Sequence, residues 1–236
     1  MDLSVVVPVC DERDNLEPLV DELADHLKTS VGSFEIVLVD DGSTDGSSQR
    51  IRELAVSRRW VRGLHFKHHA GQSAALDAGW RAARGHVIVT VDADLQYDPA
   101  DIAVLMEALE GNDAAVGYRV ERKDGWLARV SSHIANAVRR RVSGDSVVDT
   151  ACTLKAFRRE CVGDLKMYDG MHRFIPTLLR IEGRRVVEVP VRHRPRRWGH
   201  SKYGVRNRIV RAFVDLLVVR WMRARRLRYE VTRHEP

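Results

Sequence analysis

The sequence has little that could replace a hydrophobic core. It holds only three cysteines in 236 residues, Cys10, Cys152 and Cys161, an odd number and far apart. With no CxxC among them, a disulfide framework or a zinc ribbon is not expected, and a reducing compartment fits best. Aromatic residues are 6% of the chain, and no patch interleaves them with basic residues in the manner of single-strand nucleic-acid binders. Nucleic acid is therefore not an expected partner, and a basic nucleic-acid-binding module stays only a remote alternative. No apolar run approaches the ~20 residues of a membrane span. No basic-then-apolar leader precedes the strand-like run after Asp2, so a soluble, non-secreted chain is expected. GxxxxGK[ST] is missing, and no GxGxxG follows the first strand, which sets aside P-loop and dinucleotide-binding readings.

What is present is a chain long enough for one ordinary domain, or a domain with an appendage. Its charge is divided unevenly. Residues 1–118 carry 10 Lys and Arg against 21 Asp and Glu, and residues 119–236 carry 29 against 12. The acidic half suits a cation, and the basic half suits an anionic partner such as a phosphate ester or a membrane surface.

Short β-branched runs alternate with helical patterns in the first half. LSVVVPV (3–9), FEIVLVD (34–40), VRGLHF (61–66), HVIVTVD (86–92) and AAVGY (114–118) read as strands. Helices are expected between them, the fourth opening with Asp98 as N-cap and Pro99 at its first position. Such alternation predicts an α/β fold with a mainly parallel central sheet and helices on both faces. In the second half, residues 127–142 and 171–181 read as helical, and 153–157 and 185–191 as strands. The basic stretch 192–204 reads as a loop, with His193 and His200 solvated. A final helix from Val205 carries eight arginines to Arg228. We expect a catalytic domain over 1–204 and a basic amphipathic helix and tail over 205–236.

In open parallel sheets, ligands bind beyond the carboxyl ends of the strands. Those ends are acidic here: Asp11-Glu12 after the first strand, Asp40-Asp41-Gly42-Ser43 after the second, Asp92-Ala93-Asp94-Leu95-Gln96 after the fourth. Clustered carboxylates repel unless a cation or donors offset them. A calcium loop is excluded, because Tyr97 stands where glycine is needed and Ala103 where the bidentate glutamate belongs. Hard oxygen ligands point to Mg²⁺ or Mn²⁺ shared with a substrate phosphate. Without a glycine cradle, a metal-held nucleotide diphosphate is the expected ligand, with Asp41 able to accept hydrogen bonds from base or ribose.

VVVPVCDERDNL, VDDGSTDGS, AGQSAALDAGWRAARGHVIVTVDADLQYDP, DTACTLKAFRRE and GHSKYG occur in this order. Together they resemble the family-2 glycosyltransferases of GT-A fold, in particular the polyprenyl-phosphate sugar transferases. The resemblance spans about residues 3–222. It implies that Pro8, Glu12, Asp41 and Gln72 line the nucleotide, and that Asp92, Asp94 and Gln96 hold metal and diphosphate. Arg119, Arg129 and Ser132 fall at the acceptor phosphate, Asp149 near the reacting centre, and Arg197, Ser201 and Lys202 on a loop closing over the diphosphate. Two departures stand out: His69 replaces a usual asparagine, and Thr153 a frequent glycine. The reaction implied is inverting transfer of a hexose from a UDP- or GDP-sugar to a polyprenyl phosphate; a non-lipid acceptor is the alternative.

An acceptor phosphate is already ionised at neutral pH. It needs arginines rather than a general base, so orienting an arginine is the expected task of Asp149. Asp94, Asp149, Arg129 and Lys202 are the residues expected to carry catalysis. His172 and Arg173 are candidates for seating sugar or acceptor. The last helix pairs Phe213, Leu217 and Trp221 with flanking arginines, the pattern of a helix lying in a membrane interface. The expected location is the cytoplasmic face of the membrane, peripherally; a homo-oligomer stays open.

Overall fold

A computed structural model describes residues 1–120, 147–195, 205–227 and 232. Seven strands form one sheet: β1 (Leu3–Val9), β2 (Phe34–Asp40), β3 (Val61–His65), β4 (Val87–Thr90), β5 (Ala114–Arg119), β6 (Lys155–Arg158) and β7 (Val186–Val191). Their order is β3-β2-β1-β4-β6-β5-β7. All neighbours are parallel except β6, which runs antiparallel to both β4 and β5. The helices are α1 (Arg13–Ser30), α2 (Ser47–Ser57), α3 (Gln72–Ala82), α4 (Asp101–Ala108), α5 (Arg159–Gly163), α6 (Ile175–Ile181) and α7 (Val205–Arg225).

The Val/Ile runs become central strands because both of their faces are covered. Val5 and Val7 point into a core shared with Leu16, Leu23, Ile51 and Leu105 of α1, α2 and α4. Val6 points the other way, against Ala75 and Trp80 of α3 and the cluster of α6 and α7. Gly79 is where α3 closes on the sheet, since a Cβ there would sit 2.3 Å from Val6 Cγ1. At the amino ends of the strands, Ser4 Oγ donates to Glu35 Oε1 at 2.6 Å, and Arg62 pairs with the other carboxylate oxygen at 2.8 Å.

The chain runs from β1 outward through β2 to β3, then returns to place β4 on β1's other side. That reversal is the topological switch point, where a crevice opens. Val6 is level with Thr90, so Pro8 faces the exit of the Asp92 loop. Strands β4 and β5 both oppose β6, with Thr90 and Val116 each level with Lys155. Asp92 and Arg119 therefore leave the sheet at one edge, two strands apart.

Two expectations need adjustment. Asp98 does not cap α4: its carboxylate accepts the Ala100 N–H in a separate turn, and α4 starts at Asp101. Residues 171–174 form a 3₁₀ turn before α6, with Pro176 at the start of the true helix.

Candidate active site

Three loops meet at the crevice. The loops after β1 and β2 are tied together by short polar side chains. Asp11 N–H donates to Ser43 Oγ at 2.9 Å, Thr44 N–H to Asp11 Oδ1 at 2.7 Å, and Glu12 N–H to Ser47 Oγ at 2.9 Å. Asp11 adopts a left-handed φ of 49° to do this, a conformation Asp tolerates. Glu12 in turn holds Asn15 at the start of α1.

Asp41 is buried, and its carboxylate accepts the Ala70 N–H at 2.6 Å, the Gly71 N–H at 2.9 Å and pairs with His69 Nδ1 at 2.9 Å. Much of its hydrogen-bonding capacity thus fixes the 69–71 loop that opens α3. Gly42 has φ +70°, and a Cβ there would lie 2.6 Å from His69 N, so the turn after β2 and this loop interlock. Gln72, the first residue of α3, reaches across to donate to Asp92 Oδ1 at 3.0 Å.

The Asp92–Gln96 loop is bent by Leu95, whose φ is +60°. Strain of this kind persists where surrounding contacts over-determine it. Asp94 is buried, and its Oδ1 accepts the Gln96 N–H. The Gln96 amide nitrogen donates to the Arg194 carbonyl, which turns its oxygen into the acceptor side of the group. Among the described residues no three of His, Cys, Asp and Glu converge on one point. Asp92, Asp94 and Gln96 are the residues of this loop that could hold a divalent ion. That set of hard oxygens suits Mg²⁺ or Mn²⁺.

Across the cleft, Asp149 grips Arg119 with two bonds, to Nε at 2.7 Å and Nη2 at 3.1 Å. Burial works against the Arg119 charge, and the Asp149 carboxylate more than offsets it, raising the guanidinium above its ordinary pKa. Between this pair and Asp92 lies Lys155 on β6, which donates to the Cys152 carbonyl. Burial pushes the Lys155 pKa down, opposed by Cys152, Asp92 and Asp149. His172, at the 3₁₀ turn, bonds Ser73 Oγ at 2.9 Å through Nδ1 and lines the same cleft as Asp92 and Gln72.

Residues 4–165 match the glycosyl transferase family 2. The chain belongs to that family. This family-2 chain is 38% identical to the dodecaprenyl-phosphate galacturonate synthase of Rhizobium johnstonii, over 93% of its own length and 66% of the relative's. It is 36% identical to an undecaprenyl-phosphate 4-deoxy-4-formamido-L-arabinose transferase of Edwardsiella ictaluri, over 91% and 66%. It thus spans just under two thirds of the curated relatives it matches. In fold it is similar to the glucosyl-3-phosphoglycerate synthase of Mycobacterium tuberculosis in complex with Mn²⁺, UDP and phosphoglyceric acid. The TM-score is 0.69 at 19% identity, with 95% of this chain and 78% of that one covered. A mannosyltransferase from Pyrobaculum calidifontis with GDP-mannose and Mn²⁺ gives a TM-score of 0.65 at 22% identity, covering 96% and 65%.

Pro8, Glu12, Asp41, Gln72, Asp92, Asp94, Gln96, Arg119 and Asp149 all lie on this edge of the family-2 fold. Arg129, Ser132, Arg197, Ser201 and Lys202 lie outside the described residues, as does the expected helix over 127–142. His193 departs from the solvated loop foreseen for it. It forms a bridge with Tyr97, lies tilted against that ring with the ring centres 5.4 Å apart, and sets its Nε2 3.4 Å from the Gln96 amide. Arg192 and Arg194 on either side pair with Asp98, and further with Asp101 and Glu22 respectively. The chain beyond β7 is thereby zipped onto the Asp92–Gln96 loop. Alternation of basic residues with His193 and Pro195 directly after a strand was the available signal, but the acidic partners lie about 90 residues or more away.

Proposed function

We propose that the protein is an inverting glycosyltransferase moving a hexose from a UDP- or GDP-sugar to a polyprenyl phosphate. The observation that carries this is the placement of Asp92 and Asp94 on one sheet edge with the Arg119–Asp149 pair. Donor and acceptor phosphates, both anionic, would meet there. The identity with two polyprenyl-phosphate sugar transferases over more than nine-tenths of the chain supports the acceptor class.

In this reading Asp92, Asp94 and Gln96 hold Mg²⁺ or Mn²⁺, which when bound neutralises charge on the departing diphosphate. Gln72 keeps Asp92 in position, and Asp41 shapes the 69–71 loop beside the nucleotide together with Pro8 and Glu12. Arg119, oriented by Asp149, takes the acceptor phosphate, with Arg129 and Ser132 as partners; Arg197, Ser201 and Lys202 cover the diphosphate. An acceptor phosphate oxygen attacks the anomeric carbon from the face opposite the leaving group. A new C–O bond forms, the bond to the diphosphate breaks, and the nucleoside diphosphate departs with the electron pair. No proton need leave the acceptor, so Asp149 serves as a positioning group rather than a base.

Residues 1–204 are the catalytic unit in this reading, and 205–236 dock it on the cytoplasmic face of the membrane. No helix among the described residues is long and apolar enough to cross a membrane. Helix α7 instead turns Leu216 and Val219 to the body of the protein and leaves Phe213, Val214, Leu217, Val218 and Trp221 exposed. A stripe of that kind beside Arg220, Arg223 and Arg225 suits an anionic bilayer surface.

The test is transfer of labelled sugar from a panel of nucleotide-sugars into organic-extractable product, with undecaprenyl phosphate and Mg²⁺ or Mn²⁺. Labelled lipid is expected, falling about a thousandfold in Asp94→Ala and vanishing with chelator. Donor turnover without labelled lipid would move the acceptor to a non-lipid glycan, and no metal-dependent turnover with any donor would overturn the reading.

A further inference from the structure

Lys155 is a buried lysine to which the reading above gives no task. It is 3% exposed and sits where three strands meet, level with Thr90 on one side and Val116 on the other. An ammonium carries three N–H donors, and removing it from water is costly unless they are met. Among the described residues its hydrogen-bond acceptor is the Cys152 carbonyl. Asp92 and Asp149 offset its charge through space. The side chain lines the narrow cleft that Gln72, Asp92 and His172 also line. Thr153 lines it too, and its buried Oγ1 has no hydrogen-bond partner among the described residues. Two residues apart on one strand entry, an ammonium and a hydroxyl thus present unmet donors to the same space. A methionine would fill the Lys155 site without any desolvation cost. Among the described residues its other N–H donors meet no acceptor, and an anionic oxygen entering the cleft would supply one.

We propose that Lys155, assisted by the Thr153 hydroxyl, is an oxyanion-binding residue at the floor of the transfer site, taking one anionic oxygen of a substrate. That chemistry has two sources: a phosphate oxygen of the polyprenyl acceptor, or the carboxylate of a uronic-acid donor sugar. The inference rests on the glycosyl-transfer reading. The two fail separately, because that reading is decided on wild-type protein and this one on the difference between wild type and variants.

The experiment is calorimetric titration of the full chain, wild type beside Lys155→Met, Lys155→Arg and Thr153→Val. The probes are farnesyl phosphate with Mn²⁺ and UDP present, UDP-galacturonate with Mn²⁺, and UDP-galactose with Mn²⁺. Lys155→Met is expected to weaken farnesyl phosphate or UDP-galacturonate by about tenfold or more, while UDP-galactose changes less than about twofold. Lys155→Arg recovers most of the loss, and Thr153→Val reproduces part of it on the same ligand. A loss on farnesyl phosphate assigns the phosphate, and a loss on UDP-galacturonate alone assigns the carboxylate. Unchanged affinity for both anionic ligands overturns the proposal. If Lys155→Met no longer binds Mn²⁺ and UDP, wild-type protein labelled with ε-¹³C lysine decides. The Lys155 resonance, identified by its absence in Lys155→Arg, shifts with one anionic ligand and not with UDP-galactose; a resonance unmoved by both overturns the proposal.

Discussion

At the scale of single residues, the site is built from side chains that hold other side chains. Asp149 is the clearest case, since two of its bonds go to the Arg119 guanidinium. Replacing it with Asn keeps the size and loses the charge that fixes that guanidinium. The acceptor KM should rise about tenfold, in line with loss of a charge-assisted pair, while kcat changes far less and its pH profile keeps its shape. Steady-state kinetics between pH 6 and 9 checks this; a collapse of kcat that follows a single ionisation would make Asp149 a base. The same holding relation explains why Lys155 escaped a reading of the sequence. In TLKAF it is one polar residue in a strand-like run, and its significance comes from lying level with Thr90, 65 positions earlier. His193 was missed for the same reason, because its partner ring belongs to Tyr97. Asp92, Asp94 and Gln96, by contrast, lie within one loop, and their proximity is legible from spacing alone.

At the scale of elements, β1 and β2 coincide with the expected Leu3–Val9 and Phe34–Asp40 because strands buried on both faces are written as uninterrupted Val/Ile runs. Boundaries set by side-chain capping were harder to read. Asp98-Pro99 looks like a helix start, yet Asp98 is drawn into pairing with Arg192 and Arg194, and α4 begins three residues later. The β1–β2–β3 end opposite the site depends on Glu35. Desolvation raises its pKa, but Ser4, Arg62 and the Arg84 N–H outweigh this and hold it below the usual carboxylate value. A lowered folded pKa means that Glu35 stabilises the fold above the unfolded value of about 4.3. The contribution is lost as pH falls through the folded pKa. Glu35→Gln should cost about 2 kcal/mol at pH 7. Its gap from wild type should close below about pH 4, as read from urea melts across pH 3–7. A gap that stays constant into acid would remove Glu35 from the acid limb.

At the scale of the whole molecule, α7 is the element proposed to place the protein on a membrane. Trp221 is 63% exposed and Phe213 50%, large apolar groups that contact with a bilayer interface would cover. Flotation with anionic liposomes should carry the wild-type protein upward, and Trp221→Glu should cut the bound fraction on the order of tenfold. Wild-type protein that stays at the bottom of the gradient would detach α7 from any bilayer role.

The sheet order adds something to this. Strands β3, β2, β1 and β4 come from the acidic half of the chain, while β6 and β7 of the basic half, with β5 between them, lie toward the opposite edge of the sheet. An uneven layout of this kind would give the fold an electric dipole moment with a component across the strands. Such a body would experience a torque near a negatively charged surface and would turn its basic edge inward before contact. Orientation during diffusional approach, and not just adhesion after it, would then depend on ionic strength.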